Sequence, residues 1–262
     1  MMRTLLAFAL CLGTPLSLAA AQGAAGGATK ASEVPLRSVL ELYTSQGCSS
    51  CPPADALLKS YTERRDVVAL TFAVDYWDYL GWKDTLARPK YSERQRAYAR
   101  TRGDGMVYTP QMVVNGRAHV NGARADEIDR AIKQTRIESQ VPVRLRIENG
   151  KLVIDASAAA DGATIREATI WLAVLQKKVD VPIRTGENRG RSIAYHNVVR
   201  DLTSIGMWSG QPMTIKLERQ AIMPAGAESC VVLLQKGTTG PIIGAAELPV
   251  WRESSALLAD EK

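Results

Sequence analysis

The apolar positions near the start of the chain repeat first with a strand period and then with a helix period. Apolar residues alternate over 37–43, and Ala54, Leu57 and Leu58 follow at helical spacing. Residues 67–75 are an almost continuous apolar run, which is typical of a buried central strand reached through a helical connection. This order of strand, helix and strand predicts a βαβ unit.

The segment 76–105 interrupts this order with a cluster of aromatic residues. Ser92 and Gln95 fit a capping box, which predicts a helix over 91–101 and hence a helical insertion. The aromatic side chains either pack this insertion onto the domain or form a wall that receives a substrate. The candidates for such a wall are Tyr76, Trp77 and Trp82.

A hairpin and a further helix complete this part of the chain. Pro110 opens an apolar strand, as prolines in sheets lie at strand starts or edges. Asn115-Gly116 is a strong hairpin-turn signal, and the returning strand covers 117–121. Residues 123–139 then carry apolar side chains at helical spacing, which predicts an amphipathic helix.

From residue 141 onward the apolar residues follow the strand period. Short alternating segments separated by turn signals predict a β-sandwich-like domain over 141–252. The boundary with the preceding domain, 36–140, is expected near Gln140, and 253–262 are expected to be a tail. The predicted strands centre on 143–147, 152–156, 170–174, 179–183, 193–195, 213–217 and 231–234.

The N-terminus has the parts of a secretory signal. Arg3 precedes an apolar region over 5–18 that is too short to span a bilayer, and alanines 19–21 offer a cleavage site. We therefore predict a signal peptide at 1–21 and, because residues 22–35 are rich in Ala and Gly, a flexible leader. We expect a periplasmic or secreted protein with no membrane span after cleavage. An uncleaved anchor is the alternative.

Charge and cysteine content narrow the class of function. The net charge of +6 comes from scattered residues of both signs without a basic run, so we expect no nucleic-acid partner. Cys11 lies within the predicted signal, which leaves Cys48, Cys51 and Cys230. A close pair and one distant cysteine are better interpreted as a reactive pair than as a disulfide framework.

The pair Cys48 and Cys51 lies between a predicted strand and a predicted helix. Strand, Cys-x-x-Cys and helix form the layout of a thioredoxin-like redox site. In thiol–disulfide exchange one thiolate attacks and a second thiol resolves the mixed disulfide, and we assign these roles to Cys48 and Cys51, respectively. Because Pro52 and Pro53 follow, the helix is expected to start at one of them, which leaves Cys48 a turn away from its dipole.

Pro110 is the second part of the predicted site. In thioredoxin-like proteins a cis-proline lies opposite the Cys-x-x-Cys motif, and the residue before it offers its backbone to a bound peptide. We therefore predict a cis peptide bond between Thr109 and Pro110, in contrast to an ordinary trans proline at a strand edge. Thr109 and Gln46 are the candidate substrate-binding residues beside the cysteines.

One polar segment of the second domain offers further candidates. Residues 185–192 are Gly-rich and charged, which is typical of a hairpin loop. Alternatively, Glu187, Asn188, Arg189 and His196 face the redox domain and shape its groove. A Ser-His-Asp hydrolase is not supported, because no Gly-x-Ser-x-Gly motif is present.

Metal binding is the competing chemistry for the cysteine pair. A structural zinc site needs two further ligands, and only Cys230, His119 and His196 remain to supply them. Copper needs fewer ligands, thiolates suit Cu(I), and His119 follows the Pro110 strand closely enough to approach. We predict no metal and no cofactor beyond the redox-active disulfide, with copper handling as an alternative.

Four segments together identify a resemblance. They read Glu-Leu-Tyr-Thr-Ser-Gln-Gly-Cys-Ser-Ser-Cys-Pro-Pro-Ala-Asp at 41–55, Asp-Tyr-Trp-Asp-Tyr-Leu-Gly-Trp-Lys-Asp at 75–84, Tyr-Thr-Pro-Gln at 108–111 and Gly-Glu-Asn-Arg-Gly-Arg at 186–191. The chain resembles, over nearly its whole mature length, a family of secreted bacterial proteins of uncharacterised function with a thioredoxin-like domain. The resemblance implies a thioredoxin-like fold and an extracytoplasmic location, and it brings no established activity.

The expected fold class is α/β, with a thioredoxin-like domain that carries a helical insertion and an all-β sandwich-like C-terminal domain. The leading hypothesis for function is an extracytoplasmic thiol–disulfide oxidoreductase that acts on protein or small-molecule thiols and disulfides. A non-catalytic binding module with a structural disulfide is the alternative from another class. The direction of electron flow is not predicted, since it depends on the reduction potential.

Overall fold

The structure is a computed structural model that describes residues 38–136, 141–160, 165–223 and 226–248. The described residues belong to one compact unit. The predicted signal peptide, leader and tail, and the predicted boundary residue Gln140, lie outside the described residues.

Strands dominate the described chain, and four α-helices and one short 3₁₀ helix accompany them. The strands are β1 (Ser38–Thr44), β2 (Val67–Ala73), β3 (Gln111–Val114), β4 (Ala118–Asn121), β5 (Val143–Glu148), β6 (Lys151–Ala156), β7 (Ala168–Pro182), β8 (Ser192–Trp208), β9 (Met213–Glu218), β10 (Ser229–Gln235) and β11 (Ile242–Leu248). The helices are α1 (Pro52–Thr62), the 3₁₀ helix Asp78–Leu80, α2 (Pro89–Arg102), α3 (Ala125–Gln134) and α4 (Arg219–Ile222). The predicted mixed α/β class is confirmed at this level.

Eight strands form one mixed sheet in the order β11-β10-β7-β8-β2-β1-β3-β4. β1 pairs in parallel with β2, as the predicted βαβ unit requires. β2 also pairs in parallel with β8, where Thr71 lies opposite Val198. The sheet is therefore continuous across the boundary that the sequence pattern placed near residue 140.

The two faces of β1 explain where the first helices lie. Leu40 and Leu42 belong to the apolar core that also contains Leu58 of α1 and Ile128 of α3. The alternate residues of β1, such as Tyr43, belong to a second core together with aromatic residues of α2. Since successive side chains of a strand point to opposite faces, α1 and α3 cover one face of the sheet and α2 covers the other.

A second sheet of three strands, in the order β5-β6-β9, packs on the C-terminal part of the large sheet. Its apolar residues Leu152 and Ile154 share a core with Leu172, Val174 and Trp208 of the large sheet. Most alternating segments predicted as strands are strands. Those at 170–174 and 179–183 are parts of one long strand, β7, because β8 pairs with it along nearly its whole length.

The helical insertion is present, but its predicted capping box is wrong. α2 begins at Pro89, and no side chain caps its N-terminus. Ser92 instead donates a 2.5 Å hydrogen bond to the carboxylate of Asp75. The side-chain amide of Gln95 donates to the carbonyl of Tyr108, just before β3, at 2.8 Å. Both polar side chains are buried within the helix, where they hold α2 to the domain.

The outer part of the β7–β8 hairpin packs against this insertion. Val181, Ile183 and Ile193 of the hairpin share a core with Leu86 of the insertion. We call residues 183–191, which connect the two strands, the hairpin loop. The packing carries this loop to the start of α1, where the cysteine pair lies.

Candidate functional site

The turn between β1 and α1 holds the cysteine pair. Cys48 and Cys51 form a disulfide, with their Cα atoms 5.4 Å apart. The N–H of Cys48 donates to the carbonyl of Ser45 at 3.1 Å, and the N–H of Cys51 donates to the carbonyl of Cys48 at 3.2 Å. Cys48 keeps 4% of its surface exposed and Cys51 none, so Cys48 is the more accessible residue of the pair.

The start of α1 offers the cysteines few hydrogen-bond donors. Cys51 occupies the N-cap position, and Pro52 and Pro53 follow it, as the sequence predicted. Proline lacks a backbone N–H, so this helix end is short of the donors that usually stabilise a thiolate. The Ser50 hydroxyl is 3.4 Å from the Cys48 sulfur and supplies a polar contact there.

Asp55 lies one helical turn beyond Cys51 and is buried. Its N–H donates to the carbonyl of Cys51 at 3.1 Å, and side chains four residues apart share a helix face. Neither carboxyl oxygen has a hydrogen-bond partner among the described residues. Burial raises the pKa of Asp55 to about 8, although the nearby Thr44 hydroxyl lowers it and the charge of Asp84 raises it further.

Two further buried polar groups accompany Asp55. The hydroxyls of Thr44 and Tyr195 also lack hydrogen-bond partners within the described chain. Burial raises the pKa of Tyr195 well above its usual value, and the charges of Asp55 and Asp84 add to this effect. Thr44, Asp55 and Tyr195 therefore form a buried polar cluster beneath the cysteine turn, with hydrogen-bonding capacity left unused.

The predicted cis peptide bond between Thr109 and Pro110 is confirmed. Pro110 lies beside the first turn of α1. A Cβ placed on Gly122 would lie 3.3 Å from the Cβ atoms of both Ala54 and Pro110, which shows how closely these segments approach. The Thr109 hydroxyl accepts a hydrogen bond of 2.8 Å from the indole N–H of Trp77.

Trp77 connects the cysteine turn with Thr109. A Cβ on Gly47 would lie 3.1 Å from the carbonyl oxygen of Trp77, so only glycine permits this close approach without a shift. The Trp77 ring also lies against Tyr76 and Tyr79, with ring centroids 5.7 Å and 6.2 Å away, respectively. Tyr79 is 75% exposed. These three rings form an aromatic row that is half-buried at one end and open to solvent at the other.

Gln46 is buried and holds the insertion in place. Its side-chain carbonyl accepts a 2.8 Å hydrogen bond from the indole N–H of Trp82, and its amide donates to the hydroxyl of Thr85 at 3.1 Å. The N–H of Gln46 donates to Asp84 at 2.8 Å. Burial raises the pKa of Asp84 to about 6. Backbone N–H groups that donate hydrogen bonds to its carboxylate lower the pKa in part.

The hairpin loop closes over the cysteine turn through Asn188. The buried amide of Asn188 donates to the carbonyl oxygens of Gln46 and Cys48 at 3.0 Å and 2.9 Å. Its neighbours Glu187 and Arg189 are exposed. Three of the residues considered from the sequence, Gln46, Cys48 and Asn188, are thus in direct contact.

His196 lies elsewhere. Burial lowers its pKa, and the nearby charges of Lys59 and Lys178 lower it further. Lys59 lies in the last turn of α1, whereas the disulfide lies at the first turn. The structure therefore places His196 at the opposite end of this helix from the cysteine pair.

His119 also has other partners than the cysteines. Its Nδ1 is 2.9 Å from the Tyr108 hydroxyl, and its Nε2 is 3.2 Å from the carboxylate of Asp104. Cys230 is a free, buried cysteine in β10, and three strands separate β10 from β1 in the sheet. Across the described ranges, no three His, Cys, Asp or Glu side chains come together to hold a metal ion.

Sequence reasoning missed the buried polar cluster. The spacing of Asp55 from Cys51 contains a signal, because a carboxylate four residues after the second cysteine and between apolar residues falls on the inner face of α1. Tyr195 carries no comparable signal, since it comes from a distant strand.

The structure also contains no described helix that is long and apolar enough to cross a membrane.

Two solved structures and a family model are similar to this chain. A crystal structure of a structural genomics target from Agrobacterium tumefaciens is 37% identical, covers 83% of this chain and 96% of that chain, and has a TM-score of 0.71. HBP35 of Porphyromonas gingivalis is 14% identical, with coverage of 84% and 77% and a TM-score of 0.56, and it is similar in fold alone. No protein with a curated description matches. Residues 39–235 match DUF1223, described as a protein of unknown function, and the chain therefore belongs to the DUF1223 family.

Proposed function

We propose that this protein is a thiol–disulfide oxidoreductase that works through Cys48 and Cys51. The observation that carries the proposal is the disulfide at the start of α1, in which Cys48 is the more accessible residue and the unpartnered carboxyl of Asp55 lies one turn behind Cys51. A purely structural crosslink has no use for a buried ionisable group that lacks partners, since such a group costs stability when it is charged.

The exchange proceeds in two steps with the oxidised protein as electron acceptor. A substrate thiolate attacks the Cys48 sulfur, the bond between Cys48 and Cys51 breaks, and Cys51 leaves as a thiolate. A second substrate thiolate then attacks the substrate sulfur of the mixed disulfide and releases Cys48 as a thiolate. The substrate gains a disulfide, the protein gains two electrons, and the same steps in reverse reduce a substrate disulfide.

Asp55 supplies the proton that Cys51 needs. With a pKa of about 8, the carboxyl is mostly protonated at neutral pH in the oxidised protein. When Cys51 leaves as a thiolate, the proton moves from the Asp55 carboxyl to the sulfur. In the reverse direction the Asp55 carboxylate removes the proton from the Cys51 thiol before that sulfur attacks, so the group acts as acid or base according to direction.

The fold and the surroundings of the pair support a thioredoxin-like site. β1, α1, β2, β3, β4 and α3 follow the order expected of a thioredoxin-like domain, and Thr109 and Pro110 lie beside the first turn of α1. We propose that the Thr109 backbone and the aromatic row Tyr76, Trp77 and Tyr79 receive the substrate. Buried Gln46 and half-buried Trp82 position the turn. The signal-like residues 1–21 support an activity outside the cytoplasm, where disulfides persist.

The test is capture of a mixed disulfide. The Cys51→Ser variant should accumulate a covalent adduct between Cys48 and a reduced model peptide carrying one thiol, after activation of Cys48 with a thiol-exchange reagent. The Cys48→Ser variant should form no adduct, and Cys230→Ser, which removes the buried cysteine, should behave as wild type in steady-state exchange. Equal exchange by wild type and Cys48→Ser would overturn the proposal.

A second candidate function is a non-catalytic binding module with a structural disulfide. The 4% exposure of Cys48 favours it, because a sulfur so enclosed meets few attackers. The reduction potential of the pair separates the two. A value between about −120 and −270 mV belongs to exchanging proteins, and a value below about −300 mV belongs to structural disulfides.

A further inference from the structure

The hairpin loop carries a group of cations beside the cysteine turn. Arg184, Arg189 and Arg191 lie within the nine residues 183–191, and all three are exposed. Lys83, also exposed, follows Trp82, whose Cβ lies 3.1 Å from the position that a Cβ on Gly186 would occupy. The insertion and the hairpin loop thus bring four positive charges to one rim.

These cations have no internal partners. None of the four side chains forms a hydrogen bond or an ion pair with the part of the chain that the structure describes. Six other arginines pair with carboxylates: Arg64, Arg100, Arg102, Arg124, Arg130 and Arg146. Glu187, the one acidic residue of the hairpin loop, is exposed and unpaired in the same sense. The rim therefore keeps an excess of positive charge that is not neutralised from within.

The loop holds this charge at a fixed place. The N–H of Ile183 donates to the carbonyl of Arg191, and the N–H of Gly190 donates back to the carbonyl of Ile183, both at 2.9 Å. Asn188 anchors the loop to the Cys48 carbonyl at 2.9 Å. Because neighbouring Cα atoms are about 3.8 Å apart, the backbone of Arg189 cannot move away from the disulfide while Asn188 stays bound.

Such an arrangement fits a substrate with negative charge. Clustered cations repel one another, and an anionic partner relieves this repulsion while being attracted to the site. Arginine also binds carboxylates through paired N–H donors. Exposed Ser49 and Ser50 lie in the cysteine turn itself and add hydroxyl donors there.

We propose that the rim of Lys83, Arg184, Arg189 and Arg191 binds carboxylates that lie next to the reacting sulfur, so that the preferred substrates are acidic thiols and disulfides. This inference rests on the proposed exchange activity and adds the substrate class. The carboxylates come either from acidic residues flanking a protein cysteine or from a small acidic thiol such as glutathione.

The experiment measures a charge preference. Three peptides with one internal disulfide, identical except for flanking Glu, Gln or Lys residues, are reacted with the reduced protein, and second-order rates are followed by thiol trapping. The readout is the ratio of the Glu rate to the Lys rate, because a general change in cysteine reactivity cancels from it. We expect a ratio of about ten or more for wild type at low salt. The ratio should fall as salt screens the charges.

The matched variants are the triple change Arg184→Gln, Arg189→Gln, Arg191→Gln and the control Arg117→Gln. Arg117 is exposed in the β3–β4 turn, two residues after Asn115, which bonds to Val39 at the far end of β1 from the cysteines. The triple variant should lower the ratio at least about fivefold, and the control should keep it. An equal ratio in wild type and triple variant overturns the inference.

Two further arms separate the remaining possibilities. Oxidised glutathione, compared with the neutral hydroxyethyl disulfide, shows the same preference if small acidic thiols are bound, whereas a preference confined to peptides indicates protein substrates. Binding of cysteine-free Glu and Lys peptides is measured by fluorescence anisotropy. If wild type exchanges with no disulfide, the proposed function fails, and the binding measurement alone decides the inference. Selective binding of the Glu peptide that the triple variant loses would support the anion site. Absence of such selective binding would overturn the anion site.

Discussion

Asp55→Asn should remove a large part of the pH dependence of this protein's stability. The substitution replaces a buried carboxyl by an amide of nearly the same shape that does not titrate. In the folded protein the pKa of Asp55 is raised by burial from 3.8 to about 8. In the unfolded chain the same carboxyl is in water and ionises near its usual value.

The direction follows from counting protons. Below pH 3.8 both states of wild type hold the proton and Asp55 adds no pH dependence. Between that value and about 8 only the folded state holds the proton, so stability falls as the pH rises. Above this range both states are ionised and the loss is complete. The contribution is thus fully present in acid and absent in alkali.

The expected change in the free energy of unfolding is a large fraction of the total stability of a typical protein. Each pH unit within the window lowers the free energy of unfolding by about 1.4 kcal/mol. From pH 4 to pH 7 the loss comes to about 4 kcal/mol, while whole proteins are stable by about 5–15 kcal/mol. Asp55→Asn should therefore be close to wild type at pH 4 and more stable by roughly this amount at pH 7.

The assay is urea unfolding of the oxidised protein at pH values from 4 to 8, followed by tryptophan fluorescence. Asp84, whose pKa is also raised, is present in both proteins, so its contribution largely cancels in the difference. Asp180→Asn, at an exposed carboxylate, is the control and should leave the profile of wild type unchanged. Parallel profiles for wild type and Asp55→Asn would refute the reasoning, since they would mean that the carboxyl ionises in the folded state without cost.

Three further outcomes follow from other contacts. Arg94→Met should lower the free energy of unfolding by about 3–5 kcal/mol in urea titrations, because it strips the buried Glu41 carboxylate of its ion pair, and adding Glu41→Met should recover much of the loss. Asn188→Ala should cost about 1–3 kcal/mol and speed amide hydrogen exchange over 45–51, since two buried carbonyls lose their donor. Gly116→Ala should lower the thermal midpoint, because the residue has φ +63° and a Cβ would overlap the backbone carbonyl of Gly240, between β10 and β11, whereas Gly150→Ala, at φ +73° in open space, should cost less.

Local patterns in the sequence were enough to predict the segments around the cysteine pair. The alternation in β1, the apolar run of β2, the Asn115-Gly116 turn and the proline start of α1 each depend on neighbours within a few residues. Because these signals are local, periodicity and turn chemistry report them directly. The cis Thr109–Pro110 bond was predictable only from the motif context of a thioredoxin-like site.

The rest of the site comes from contacts that periodicity does not encode. Nothing in the local pattern of β8 indicates that it pairs with β2, where Thr71 lies opposite Val198. The polar segment around Asn188 has the pattern of an ordinary surface loop. Only the packing of this segment on the insertion brings the Asn188 amide to the cysteine turn. Tyr195, whose pKa the charge of Asp55 raises, likewise comes from that same distant strand.

The Asn188 anchor has a consequence for the order of events during synthesis. Cys48 leaves the ribosome long before Asn188, since 140 residues separate the two. Contacts of such long range form late in folding, because closing a long loop is entropically costly. The cysteine turn is therefore completed only when the C-terminal half has folded, and a nascent or truncated chain presents the pair without its cover.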